Sequence, residues 1–242
     1  MLVYPPSLDF IVAFLACLKA GIIAVPAYPP DPRKLNKDLK MFATIVSSCD
    51  AKAALTSSIY SYATKLASLQ TAFSNLSILT STNATSDTHK WPDQLQWIVT
   101  DSVLLASPDA QVISEDQQRL LDAVQRDEDH QPTPSQPVAF LQYTSGSTSE
   151  PKGVVITKTN LTDNLILITR GLSAGEDTVV VSWLPQYHDM GLIGSYLGLL
   201  YCGGTGYYLS PLAFVRNPPL WVQTMSRYRA THVCRLWLLL LR

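Results

Sequence analysis

Short apolar runs alternate with amphipathic stretches along most of the chain. Leu2–Tyr4, Ile22–Val25, Ala51–Thr56, Leu76–Leu79, Leu95–Val99, Val138–Tyr143, Val154–Ile156, Val179–Val181 and Tyr207–Leu209 each read as strands. Between them, apolar residues recur at helical spacing. Phe10, Phe14, Cys17 and Leu18 form one such face, with Ser7 as a candidate N-cap and Gly21 suited to the C-terminal cap. Leu35, Leu39, Phe42, Ile45 and Val46 form a second. Further helices are predicted over Ser58–Phe73, from a capping box at Ser114, over Asn160–Leu172, over Leu192–Tyr201 and over Pro218–Tyr228. In the Asn160 helix, Leu161, Leu165, Ile168 and Leu172 share one face. This alternation predicts an α/β fold with mostly parallel sheets flanked by helices. No internal repeat interrupts it. The acid- and proline-rich stretch 125–137 reads as a linker and a possible subdomain junction, and 81–93 as a polar surface loop.

Leu8–Tyr28 is long and apolar, yet a bilayer span needs about 20 mostly apolar residues. Asp9 and Lys19 interrupt this one, and Gly21 and Pro26 break it. It reads instead as a helix, a cap and a strand, all buried, so no transmembrane segment is expected. No basic residue precedes the apolar run, which argues against a signal peptide.

Composition adds limits. The 242 residues are 47% hydrophobic and 15% charged, enough for a packed core. A formal net charge of -1 leaves no footprint for nucleic acid. Cys17, Cys49, Cys202 and Cys234 form no CxxC pair, and the four histidines are scattered. Four buried, reduced thiols in a cytoplasmic protein are expected, with no metal site of their own.

The densest chemistry lies in Tyr143-Thr144-Ser145-Gly146-Ser147-Thr148-Ser149-Glu150-Pro151-Lys152-Gly153. Small hydroxyls and glycines let a backbone approach phosphate, and a lysine adds a point charge. The order Lys-Gly excludes a Walker A motif, which needs Gly-Lys followed by a hydroxyl. A plain Ser/Thr-rich surface loop is the alternative. Two apolar strands, both expected to be buried, flank the loop and favour a phosphate site.

Thr144 to Gly153 resembles the signature of the adenylate-forming superfamily, which includes acyl-CoA synthetases, nonribosomal adenylation domains and luciferases. Trp183-Leu184-Pro185-Gln186-Tyr187-His188-Asp189-Met190-Gly191-Leu192 is similar to the corresponding motif of fatty acyl-AMP ligases. Tyr4-Pro5-Pro6 and the run from Ala20 to Pro30 agree. The resemblance implies the large N-terminal domain of that fold over residues 1–232, incomplete at both ends, followed by an aberrant apolar tail over 233–242.

It also implies chemistry: a fatty-acid carboxylate attacks the α-phosphate of ATP to give acyl-AMP and pyrophosphate. Thr144, Ser145, Gly146, Ser147, Thr148, Lys152 and Gly153 would hold the phosphates, with Lys152 and His188 as the catalytic pair. His188 would lie near the acyl carboxylate and adenylate. Asp189 would orient His188 or cap the following helix. Tyr187 and Met190 would line an acyl channel or pack in the core. The acceptor would be a phosphopantetheine thiol on an acyl carrier protein or polyketide synthase.

The family's later motifs for adenine, ribose and magnesium, and its C-terminal lysine, have no counterpart here. The Mg2+ ligand is therefore expected beyond the end of the chain, and the 242 residues alone are expected to lack turnover. Lys158-Thr159 stands where the family has Ser-His-Gly, which puts the local helix entry in question. Two other readings stay open: an acyl-CoA synthetase, and a truncated adenylation-like binding or scaffold fragment.

Overall fold

A computed structural model describes residues 1–31, 35–66, 91–92, 95–101, 137–144 and 151–233. The chain divides into two compact units, Met1–Val155 and Ile156–Arg242. The expected junction at 125–137 lies almost wholly outside the described residues, as do the strand at Leu76–Leu79, the helix from Ser114 and the tail past Val233.

In the first unit, helix α1 (Leu8–Lys19) is followed by α2 (Leu35–Ser48), strand β1 (Ala53–Thr56), helix α3 (58–66), strand β2 (Gln96–Val99), β3 (Val138–Thr144) and β4 (Lys152–Thr157). β1 and β2 pair in parallel from Ala53↔Gln96 to Thr56↔Val99. Parallel bridges continue the array through Leu2↔Leu55, Leu2↔Pro26 and Ala24↔Phe140. The extended order is thus β2, β1, the Leu2 segment, the Ala24 segment, β3, with β4 on the far side of β3. The segments at Leu2 and Ala24 make only isolated bridges, where full strands were expected.

Side-chain alternation along these strands gives the sheet two apolar faces. On one, Phe14 of α1 meets Phe140 edge-on at 5.3 Å, and both are fully buried. On the other, Val3, Val25 and Ala54 pack with Phe42, Ile45 and Val46 of α2 and Tyr60 of α3, joined by Leu141 and Tyr143 of β3. Gly21 ends α1 at a φ of 66°, a left-handed conformation that favours glycine. Ile22 N–H then donates to Cys17 O and Gly21 N–H to Leu18 O, a Schellman closure. Ser7 occupies the N-cap of α1 without a side-chain cap bond.

Three burial expectations need correction. Ile22 is 58% exposed, so the segment after Gly21 is buried only from Ala24. Val154 and Val155 of β4 are exposed, at 46% and 54%. Cys49 and Cys202 are half-buried; only Cys17 of the described thiols is buried. A run of apolar letters reports strand propensity, and it cannot report what lies over the strand.

The second unit starts with α4 (Lys158–Gly171), then β5 (Val179–Ser182), a π-helix (Met190–Leu197), α5 (Gly198–Cys202), β6 (Thr205–Tyr208), α6 (Pro211–Arg216) and α7 (Pro218–Arg227). β5 and β6 pair in parallel from Val179↔Thr205 to Ser182↔Tyr208. The helix entry in question at Lys158 is a well-formed capping box. Thr157 Oγ1 accepts from Asn160 N–H at 3.0 Å, and Asn160 Oδ1 accepts from Thr157 N–H at 3.2 Å. Thr157→Ala is expected to cost about 1 kcal/mol, read as a lower unfolding midpoint. The apolar stripe of α4 buries Leu165, but Leu172 at its end is 56% exposed.

Helix α6 was not expected. Ser210 caps it through Ala213 N–H, and Pro211 takes its first turn. That Ser-Pro start is a legible signal, masked by the helix's short length. Among the described residues no helix is long and apolar enough to cross a membrane.

Candidate functional site

In the first unit, the array from β2 to β3 is parallel, so its strands end at a common carboxyl edge, where open α/β sheets bind ligands. Thr144 closes β3 at that edge and is exposed. Lys152 opens the paired strand β4, also exposed, and among the described residues no carboxylate pairs with it. Gly153 lies flat against the Tyr143 ring. A Cβ there would sit 2.9 Å from Tyr143 Cζ. Tyr143 Oη in turn donates to Ser48 Oγ at 3.0 Å, at the end of α2. Burial pushes the Tyr143 phenol above its usual range. Thr144, Lys152 and Gly153 are thus set on two paired strands braced by one tyrosine. Ser145, Gly146, Ser147 and Thr148 lie outside the described residues.

In the second unit, β5 delivers a tight turn. His188 N–H donates to Pro185 O at 3.1 Å, and Leu192 N–H to His188 O at 2.8 Å. Gly191 is pressed against the carbonyl of Pro185; an added Cβ would overlap its oxygen and lie 2.9 Å from its carbon. His188 Nδ1 stands 2.6 Å from Asp189 Oδ1, and both side chains are more than half exposed. Nδ1 faces Asp189, so Nε2 is the ring nitrogen directed elsewhere. The same Asp189 oxygen accepts Met190 N–H at 2.7 Å, so Asp189 both meets the histidine and caps the π-helix. Tyr187 is half-buried and Met190 is 36% exposed, which leaves neither in a closed core.

Trp183 stacks on Phe214 at 3.9 Å, and Trp221 crosses it edge-on while donating Nε1–H to Val181 O. Sequence reasoning missed this brace, because Phe214 belongs to the unexpected α6. Among the described residues no cluster of three or more metal-ligating side chains occurs.

Residues 1–236 match the family described as AMP-binding enzyme. The chain belongs to that family. Among its relatives, the medium-chain-fatty-acid–[acyl-carrier-protein] ligase JamA of Moorena producens is 36% identical over 232 residues. The match covers 96% of this chain and 33% of that protein. The long-chain-fatty-acid–AMP ligase FadD26 of Mycobacterium marinum is 32% identical, with 93% of this chain and 33% of that protein covered. A crystal structure of fatty acyl-adenylate ligase from L. pneumophila, in complex with acyl adenylate and pyrophosphate, superposes with a TM-score of 0.67. It is 32% identical and covers 96% of this chain and 33% of that one. The chain therefore spans about a third of the length of these relatives. Its fold is the α/β architecture of the adenylate-forming enzymes, and its relatives are fatty-acid ligases.

Proposed function

We propose that this chain is part of an adenylation domain that activates a fatty acid, long-chain in our reading, and hands it to a carrier-protein thiol. A carboxylate oxygen attacks the α-phosphorus of ATP, the bond to the β-phosphate oxygen breaks, and acyl-AMP and pyrophosphate result. Two anions must meet, so the site must neutralise charge before it can align them. The observation that carries this reading is Lys152: exposed, without a carboxylate partner among the described residues, at the head of a strand paired with the one that ends in Thr144. Lys152 would balance charge on the departing pyrophosphate, and Thr144 would donate to a phosphate oxygen. His188, beside Asp189, would hold the incoming carboxylate as an imidazolium, with Nδ1–H donating to Asp189 and Nε2–H to the carboxylate. Tyr187 and Met190 would border the acyl chain.

Magnesium bound to the triphosphate would add charge neutralisation. The described residues hold no cluster suited to that ion, so no step is routed through it. The name of the Moorena producens relative, an [acyl-carrier-protein] ligase, supports a carrier protein as acceptor, free or within a polyketide synthase in our reading. ATP and phosphopantetheine acceptors both occur in the cytoplasm, where we place the protein.

Product analysis tests the acceptor. The protein that carries these residues, given ATP, magnesium and a fatty acid, is expected to form acyl-AMP without CoA and a thioester once a phosphopantetheinylated carrier is added. Acyl-CoA as the sole thioester, in the presence of both acceptors, would contradict the carrier assignment and favour an acyl-CoA synthetase.

A further inference from the structure

We infer that Tyr208 is a positioning residue for His188, acting through the π-helix that follows it. The inference rests on the acyl-adenylating role proposed above for His188. The π-helix begins two residues after His188, and its first turn takes the His188 carbonyl as acceptor for Leu192 N–H. A shift of this helix therefore moves the histidine backbone. π-turns are rare in proteins and recur at functional sites. They persist where surrounding structure holds them.

Two buried-side contacts supply that hold. Tyr208, at the end of β6, donates its phenol to the Ser195 carbonyl inside the π-helix at 2.8 Å. Its ring stacks on Tyr196 at 4.0 Å with planes 7° apart. Tyr196 Oη accepts from Gln186 Nε2 at 3.2 Å, and Gln186 lies two residues before His188. One ring thus grips the helix after the histidine, and its stacked neighbour grips the turn before it. Gly206 sits flat beneath Tyr208, where a Cβ would come within 2.6 Å of ring carbons, so β6 fixes the ring from below. Burial pushes the Tyr196 phenol up to about 12 and raises the Tyr208 phenol too, so both stay protonated at neutral pH, Tyr208 as the donor to Ser195 and Tyr196 as the acceptor from Gln186.

The test is Tyr208→Phe in the protein that carries these residues. The ring and its stack remain; only the bond to Ser195 is lost. The expected result is about a fivefold fall in kcat/KM for the fatty acid, the loss typical of one hydrogen bond, with the KM for ATP unchanged. In a His188→Ala background the same substitution is expected to have no further effect, because its action runs through the histidine. Tyr207→Phe, whose ring stacks on Tyr228 instead, is the control and should match the parent. Equal losses in both backgrounds, or no loss in either, would overturn the inference. A parent protein that activates no fatty acid would refute the function and leave the positioning claim to a second readout. That readout is the imidazole NMR signal of His188, expected to shift in Tyr208→Phe and to stay fixed in Tyr207→Phe. An unshifted signal would overturn the claim independently of turnover.

Discussion

Gly191→Ala is expected to cut fatty-acid activation by about a hundredfold and to destabilise the second unit. The new methyl group would occupy the position of the Pro185 carbonyl oxygen and lie 3.3 Å from that of Leu184. Both neighbours are backbone, so neither can rotate away as a side-chain tip would. The turn from Pro185 to His188 must open instead, and with it the bond from His188 N–H to Pro185 O. Overpacking of this kind costs about 3 kcal/mol. A catalytic group displaced by about 1 Å loses on the order of a hundredfold in rate. Pyrophosphate exchange and thermal unfolding measure the two effects. Gly171→Ala is the comparison, since a Cβ there meets nothing within 4 Å. It is expected to leave exchange unchanged and stability equal or slightly raised, because alanine is the better helix residue.

Lys152→Met is expected to reduce exchange by about 10²–10³-fold, the range for losing one preorganised charge or donor at developing negative charge. Its side chain is exposed and pairs with no carboxylate among the described residues, so the unfolding midpoint should stay where it is. Lys152→Arg keeps the charge and should recover part of the rate. Recovery stays incomplete, because a planar guanidinium does not replace a compact ammonium on the same stem. Loss of exchange in Met with partial rescue in Arg separates charge from packing. A Met variant as active as the parent would remove Lys152 from the phosphate site.

The alternation of strand and helix was legible because each element carries its own local chemistry. Gly21 needs a left-handed φ, and Ala24, Phe140 and Ala54 need cover. The Thr157 cap was not read, although Thr157 and Asn160 stand three apart as a capping box requires. Lys158 and Thr159, the positions that depart from the family pattern, lie between the two capping residues. The π-helix left no readable trace: Met190 to Leu197 is apolar or small at almost every position, so no polar face marks its period.

Much of what supports the candidate site is tertiary. Trp183 meets Phe214, Tyr196 meets Tyr208, and Tyr143 meets both Ser48 and Gly153. None of these pairs has a spacing that marks it. The motifs named Lys152, His188 and Asp189 as residues of interest, while the brace around them emerged only from packing.

The most direct test of the central claim is ATP–pyrophosphate exchange by the protein that carries this chain, run across a series of fatty acids. Exchange that depends on a fatty acid, proceeds without CoA and collapses in Lys152→Met is the predicted result. No exchange with any fatty acid would contradict the account.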